Sequence, residues 1–197
     1  MNWLSVKTRA VRHFVVRLVA PQVYAQTRVD RVRSMTAYLK NNFVGPLVGV
    51  EIGVLKGVNA KIMLQNLPMK MLYLVDPYCT YVDHDEIIQN FADCLPLAKR
   101  NLSKFEDKTT FIIKKSDEAV DLIPDNLDFV YIDGNHAYDF VKRDIELYWP
   151  KIRRGGVLGG HDFHIGWKGV AKAVVEFALK DGLEFYGGAP SDWWIIK

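Results

Sequence analysis

Five short apolar segments alternate with helical stretches from residue 47 onward, and this alternation is what most constrains the fold. The candidate strands are residues 47–53, 71–76, 110–114, 127–133 and 156–160. The candidate helices are residues 57–66, 84–101, 116–122, 137–149 and 167–181. Continuous apolar strands that alternate with helices are typical of a parallel sheet with crossover connections, buried on both faces. The sequence therefore predicts an α/β fold.

The end of the chain differs from this pattern, because two candidate strands, 184–186 and 193–196, follow each other without a helix between them. The six residues that separate them are rich in Gly, Pro and Ser, which predicts an antiparallel return. A length of 197 residues is that of one domain. With 49% hydrophobic and 25% charged residues, the composition indicates a soluble globular protein and excludes a disordered chain.

Cysteine usage and hydropathy indicate the compartment. The chain has 2 cysteines, Cys79 and Cys94, too few for a disulfide framework or a thiolate zinc site. Its apolar runs are shorter than the roughly 20 residues that span a bilayer. We therefore expect a cytoplasmic protein without a transmembrane helix.

Basic residues are concentrated at the beginning of the chain. The first 40 residues contain eight Lys or Arg and one acid, a charge of +7, so the remainder carries −4. Residues 1–20 have the periodicity of a basic amphipathic helix, and a second helical stretch follows over 22–42. Such a helix could pack on its own domain, pack on a second subunit in a homo-oligomer, or bind a membrane surface.

The carboxyl ends of the candidate strands carry most of the residues that suggest chemistry. In an open α/β sheet, ligands bind beyond these ends. Glu51, Gly53 and Gly57 form an E-x-G-x-x-x-G turn after the first strand, where backbone N–H groups can meet an anion or glycine can simply allow tight packing. Asp76 ends the second strand, where an acid can bind ribose hydroxyls or stabilise a turn. Together they favour an adenosine-type ligand.

The order of motifs resembles that of the class I S-adenosylmethionine-dependent methyltransferases. The segments that carry the resemblance are V-E-I-G-V-L-K-G, L-Y-L-V-D-P-Y, F-V-Y-I-D-G-N-H-A-Y and R-G-G-V-L-G-G-H-D-F followed by G-V-A-K-A-V. Within that class the chain is most similar to the small O-methyltransferase branch that includes sugar and macrolide O-methyltransferases. The resemblance covers residues 45–197, which predicts a methyltransferase domain preceded by a basic helical leader over residues 1–44.

This resemblance implies a single Rossmann-like, doubly wound, seven-stranded sheet of order 3-2-1-4-5-7-6, with the last strand antiparallel and helices on both faces. It implies that Glu51, Gly53 and Gly57 hold the methionine portion of S-adenosylmethionine and that Asp76 binds the ribose. By position, Ser116 and Asp117 would flank the adenine.

Asp133 and Asp162 follow the fourth and fifth strands, which are neighbours in that order. Two carboxylates about one strand spacing apart either share a hard cation or shift each other's proton affinity. The resemblance implies Mg²⁺ on Asp133 and Asp162, with His136 as the general base. With or without a cation, Asp133 and Asp162 are predicted to orient the acceptor oxygen, which makes Asp133 a catalytic candidate beside His136. His161 stands where metal-dependent relatives carry a further acid, so the sequence leaves open whether Mg²⁺ assists. His136 could instead cap the following helix.

The sequence therefore predicts methyl transfer from S-adenosylmethionine to a hydroxyl of a small polar molecule, such as a sugar or natural product. A nucleic-acid methyltransferase is the enzymatic alternative, disfavoured by the net negative charge beyond residue 40 and by Asp133-Gly134-Asn135-His136 where such enzymes carry an Asn-Pro-Pro-Tyr type motif. A non-catalytic cofactor-binding or scaffold protein tethered by the leader is the third interpretation. The sequence does not identify the acceptor.

Overall fold

A computed structural model describes residues 32–79, 82–83, 86–87 and 91–197. Within these residues a seven-stranded sheet forms the centre of the protein. Its strands are β1 (Leu47–Ile52), β2 (Met69–Val75), β5 (Thr109–Ile112), β6 (Leu127–Ile132), β7 (Ile152–Gly160), β8 (Phe185–Gly188) and β9 (Asp192–Ile196). A separate pair of two-residue strands, β3 (Val82–Asp83) and β4 (Glu86–Ile87), lies outside it.

The sheet has the strand order β5-β2-β1-β6-β7-β9-β8. Within this sheet, β9 pairs antiparallel with both of its neighbours, β7 and β8, so its direction is opposite to that of the other six strands. Counted along the chain without the small pair, the order is 3-2-1-4-5-7-6. The predicted doubly wound fold with an antiparallel last strand is confirmed.

Helices cover both faces of this sheet. They are α1 (Ser34–Asn42), α2 (Val58–Asn66), α3 (Cys94–Leu102), α4 (Ser116–Ala119), α5 (Tyr138–Tyr148) and α6 (Lys168–Lys180). One apolar layer contains α5 and α6, with Ile145 and Val174 fully buried against the sheet. The opposite layer contains α1, α2 and α3, represented by Met35, Met63 and Ala98. Each described helix is too short or too polar to span a membrane.

Two predicted helices differ from those observed. The helix predicted over 84–101 begins only at Cys94, after a 3-10 turn at Phe91–Asp93, and residues 86–87 are extended. Within the described part of the helix predicted over 22–42, the helix begins at Ser34, because Arg33 has an extended backbone (φ −67°, ψ 153°), and residues 22–31 lie outside the described residues. The predicted amphipathic helix over residues 1–20 lies outside the described residues.

The helix α1 packs onto the sheet rather than projecting from it. Met35 and Leu39 are at most 1% exposed and belong to the same apolar layer as α2 and α3. The Met35 backbone N–H donates to Asp192 Oδ2 at 2.9 Å, which joins the beginning of α1 to the last strand. Part of the predicted 1–44 leader is therefore integrated into the core of the domain.

Candidate active site

A single cavity of about 1130 Å³ opens at the carboxyl ends of the parallel strands. It is lined by eight of the nine residues that the sequence suggested: Glu51, Gly53, Asp76, Ser116, Asp117, Asp133, His136 and Asp162. The ninth, Gly57, is directed at α3 instead, where an added Cβ would lie 3.1 Å from Leu102 Cδ1. At this position the structure supports the packing interpretation of the glycine.

The turn after β1 forms one wall of the cavity. Gly53 has φ +85°, and an added Cβ would collide with the Asp133 carbonyl, so only glycine permits this close approach of two strand ends. The N–H groups of Val54 and Leu55 both donate to Asp76 Oδ2 at 2.9 Å. Asp76 therefore fixes the shape of the turn in addition to facing the cavity.

Glu51 is a buried carboxyl that lines the same cavity. It is 1% exposed, and its Oε1 accepts a hydrogen bond from Asn59 Nδ2 at 2.8 Å. Its Oε2 is buried without a hydrogen-bond partner among the described residues. Burial raises the pKa of Glu51 to about 8. A cationic group of a ligand would complete this site, because an unpaired buried carboxylate is costly.

Ser116 and Asp117 lie at the other end of the cavity, and the structure shows that both are bonded to α5. The Ser116 hydroxyl donates to Asp144 Oδ1, and Arg143 Nη1 lies 2.9 Å from Asp117 Oδ2. Burial raises the pKa of Asp144 to about 7. Sequence reasoning missed Asp144, because it lies inside a helix rather than at a strand end.

Asp133, His136 and Asp162 come together beside the glycine turn, where Gly53 approaches the Asp133 carbonyl. One ligand atom from each lies within 4.8 Å of the others. His136 Nε2 is 2.9 Å from Asp162 Oδ2, and the imidazole stacks on the indole of Trp167 with 4.1 Å between ring centroids. The Ala137 N–H donates to Asn135 Oδ1 at 2.8 Å in a local turn, and no side chain of the described residues, His136 included, caps the start of α5.

His161 holds the other side of Asp162. Its Nδ1 lies 3.0 Å from Asp162 Oδ1, and its Nε2 lies 3.2 Å from the Ser191 hydroxyl. Burial alone would raise the pKa of Asp162, but hydrogen bonds from His136 and His161 outweigh it and hold that pKa well below its usual range. Asp162 is therefore an ionised carboxylate among three imidazoles, since His164 Nε2 also lies 3.5 Å from its Oδ1.

Arg33 is the site residue that sequence reasoning did not find. Its Nη1 lies 2.6 Å from Asp133 Oδ2 and donates to the Tyr131 hydroxyl at 2.7 Å. The Tyr131 hydroxyl in turn donates to Asp192 Oδ1 at 2.9 Å. In the sequence, Arg33 is one of eight basic residues in the leader, and nothing in its periodicity distinguishes it from a solvated cation.

Comparison with known proteins identifies this arrangement. A family model described as a methyltransferase domain matches residues 50–163, which include the turn after β1 and the carboxylates of Asp133 and Asp162. The chain belongs to the methyltransferase-domain family. The predicted membership of the class I methyltransferases is confirmed by this match and by the strand order.

One curated relative of this methyltransferase is an uncharacterized protein, R132, of Acanthamoeba polyphaga mimivirus. It is 30% identical over 125 residues, which are 59% of this chain and 52% of the relative. The chain therefore spans about half the length of that relative.

Solved structures share the fold of this methyltransferase. The O-methyltransferase from Bacillus cereus in complex with S-adenosylhomocysteine has a TM-score of 0.61 at 14% identity, covering 98% of this chain and 91% of that one. TomG, an O-methyltransferase from Streptomyces achromogenes involved in tomaymycin synthesis and solved with S-adenosylmethionine, has a TM-score of 0.62 at 12% identity. That match covers 83% of this chain and 78% of TomG.

The donor atoms near Asp133 do not suit the Mg²⁺ ion that the resemblance implied for this methyltransferase. Mg²⁺ demands an octahedral shell of oxygen ligands. Three of the four oxygens of Asp133 and Asp162 already lie within 3.0 Å of a nitrogen of Arg33, His136 or His161. The distances would admit an ion, but the chemistry of these groups does not favour Mg²⁺.

Proposed function

We propose that this protein is an S-adenosylmethionine-dependent O-methyltransferase that acts on a hydroxyl group of a small polar molecule. The observation that carries the proposal is that one cavity of about 1130 Å³ brings the cofactor half, at Glu51, Gly53 and Asp76, opposite His136 in the acceptor half. A volume of this size suffices for a nucleoside cofactor together with a small acceptor.

The cofactor half fits S-adenosylmethionine by charge. The orphaned Oε2 of Glu51 would pair with the ammonium group of its methionine portion. Asp76, which lies 2.9 Å from two N–H groups of the glycine turn, would also accept hydrogen bonds from the ribose hydroxyls. Ser116 and Asp117, at the far end of the cavity, would flank the adenine.

S-adenosylmethionine supplies an activated methyl group on a positively charged sulfur atom. The protein must hold the acceptor oxygen in line with that methyl group and take its proton. His136 Nε2 lies 2.9 Å from Asp162 Oδ2, and an imidazole protonated on that nitrogen would carry its lone pair on Nδ1, which would accept the proton of the acceptor hydroxyl. Asp162 acts as a positioning residue that fixes the orientation and tautomer of His136. The stack on Trp167 also restricts the orientation of the imidazole.

The proposal is tested in two steps on the full chain. Calorimetry with S-adenosylhomocysteine should give a dissociation constant in the micromolar range, about −8 kcal/mol. Release of S-adenosylhomocysteine is then measured with S-adenosylmethionine and a panel of sugars and hydroxylated natural products.

Turnover on one hydroxylated acceptor, lost in a His136→Ala variant that still binds S-adenosylhomocysteine, supports the proposal. Binding without turnover on any small hydroxylated molecule contradicts the assigned activity and favours a non-catalytic cofactor-binding protein. Turnover on RNA alone would instead support the nucleic-acid alternative.

A further inference from the structure

Arg33 enters the acceptor half from outside the segment that the family model covers, which is residues 50–163. It immediately precedes α1, yet its guanidinium contacts Asp133 and Tyr131, which are 100 and 98 residues further along the chain. Its side chain is 23% exposed and lines the cavity. The segment before α1 therefore contributes a fixed positive charge to a site whose carboxylates and imidazoles follow the strands β6 and β7.

Several contacts hold Arg33 in place. The Ser34 hydroxyl donates to the Ala189 carbonyl at 2.8 Å, and the Met35 N–H donates to Asp192 Oδ2 at 2.9 Å. The first contact attaches the first turn of α1 to the connection between β8 and β9, and the second attaches it to the first residue of β9. The guanidinium thus projects from backbone that is bonded to the sheet, as a preorganised functional group requires.

The guanidinium occupies the place where a cation would be needed. Asp133 Oδ2 forms a charge-assisted contact of 2.6 Å with it, and such contacts are among the strongest hydrogen bonds in proteins. Burial opposes the charge, but Tyr131 and Asp133 raise the pKa of Arg33 above its usual range, so it stays protonated. A divalent ion on Asp133 would have to displace this guanidinium or lie beside it against charge repulsion.

We propose that Arg33 takes the place of a divalent cation in the acceptor site, so that methyl transfer by this protein is independent of metal. This inference rests on the proposed function. Both contacts described for Arg33 are made by Nη1, and a guanidinium carries five N–H donors. The donors on Nε and Nη2 are the groups we assign to the acceptor oxygen.

In the reaction, the acceptor O–H bond breaks and its proton passes to Nδ1 of His136. The oxygen forms a bond to the methyl carbon as the bond from that carbon to sulfur breaks, and both electrons of that bond remain on sulfur. Arg33 donates hydrogen bonds to the oxygen as negative charge develops on it, which is the contribution that a coordinated cation would otherwise make.

The test compares Arg33→Gln and Arg33→Lys with the wild-type full chain. We expect Arg33→Gln to lower kcat about 10²- to 10³-fold, the usual cost of losing a donor to a developing oxyanion, with unchanged affinity for S-adenosylhomocysteine. Arg33→Lys keeps the charge but lacks the planar fork, so it should recover part of the loss. Arg153→Gln is the matched control, because Arg153 also pairs with an aspartate, Asp128 at 2.8 Å, but does not line the cavity.

Two metal measurements accompany the variants. Wild-type turnover should be unchanged by EDTA, and electron paramagnetic resonance should detect no stoichiometric binding of Mn²⁺, used as the probe ion, by the wild-type chain. Loss of turnover in EDTA with recovery on adding Mg²⁺, stoichiometric Mn²⁺ binding, or wild-type kcat in Arg33→Gln would each overturn the inference.

The spectroscopic measurement needs no acceptor, so it can be decided separately from the proposed function. A chain that binds S-adenosylhomocysteine but methylates nothing would refute the proposed activity. Stoichiometric Mn²⁺ binding by that same chain would refute the role of Arg33 independently.

Discussion

Replacing Glu51 by glutamine removes a carboxyl group whose burial makes stability depend on pH. In the folded protein its pKa is about 8, against an ordinary value of 4.5. The folded state therefore retains a proton that the unfolded state loses as pH rises from 4.5 to 8. Stability contributed by the neutral carboxyl is fully present below pH 4.5 and falls as pH rises through that window.

The magnitude follows from the shift. One pKa unit corresponds to 1.36 kcal/mol, so the difference between 4.5 and about 8 gives a ceiling of about 5 kcal/mol for the whole window. The slope cannot exceed about 1.4 kcal/mol per pH unit, since one proton is involved. Glutamine has no titrating proton, so this slope should be absent from the variant.

The assay is urea unfolding followed by tryptophan fluorescence at intervals between pH 5 and 8.5. We expect the free energy of unfolding of the wild type to fall relative to Glu51→Gln by a few kcal/mol over this range. Asp144, whose burial also raises its pKa, to about 7, is present in both proteins and cancels in the difference. The exposed Glu118 gives a control, Glu118→Gln, which lacks the cost of burial and should follow the wild type.

A functional readout accompanies the stability measurement. If the ammonium group of the cofactor pairs with Glu51, binding near pH 7 should release up to one proton from the wild type and none from this position in the variant. Calorimetry in two buffers of different ionisation enthalpy measures that proton. Parallel pH profiles of stability for wild type and Glu51→Gln would refute the reasoning about the buried carboxyl.

Three further predictions concern other parts of the chain. Asp76→Ala should weaken S-adenosylhomocysteine binding by about 1–3 kcal/mol in calorimetry, through loss of ribose contacts and of the bonds that shape the turn at Val54 and Leu55; unchanged affinity would contradict the ribose assignment. His136→Ala should reduce kcat about 10²- to 10⁴-fold with little effect on cofactor affinity, whereas wild-type turnover would exclude a general base there. Deleting residues 1–20 should change oligomeric state, lipid binding or acceptor affinity but not cofactor binding, as checked by light scattering, liposome flotation and kinetics; no change in any of them would leave that segment without the roles proposed.

The sequence predicts best those residues of the candidate site that lie at the carboxyl ends of the strands. The apolar runs end within one or two residues of where the strands end, and parallel strands bring those ends to one edge. That is why the sequence predicts Asp76, Asp133 and Asp162 at one edge of the sheet, and all three line the cavity there. Gly57 shows the limit of this reasoning, since a glycine that allows tight packing and a glycine that contacts a ligand have the same sequence pattern.

Arg33 and Asp144 could not be found in this way, because their positions depend on tertiary contacts. A basic residue in an amphipathic stretch reads as solvated, and only the attachment of α1 to the last strand turns Arg33 toward Asp133. Asp144 lies on an amphipathic helix where an acid is expected to face water. The sequence predicts a helix that includes residues 86–87, because nothing in the local sequence predicts the short strand pair β3–β4.

The bond from Met35 to Asp192 has a consequence for how the protein is made. Glu51, Gly53 and Asp76 lie within a short stretch of the chain, so all three are synthesised well before the strand β9. Arg33 leaves the ribosome well before the strand that fixes its position, because Met35 and Asp192 are 157 residues apart. Contacts of such long sequence separation form slowly. Arg33 would thus reach its place beside Asp133 only after the strands that carry the other groups of the site have been synthesised.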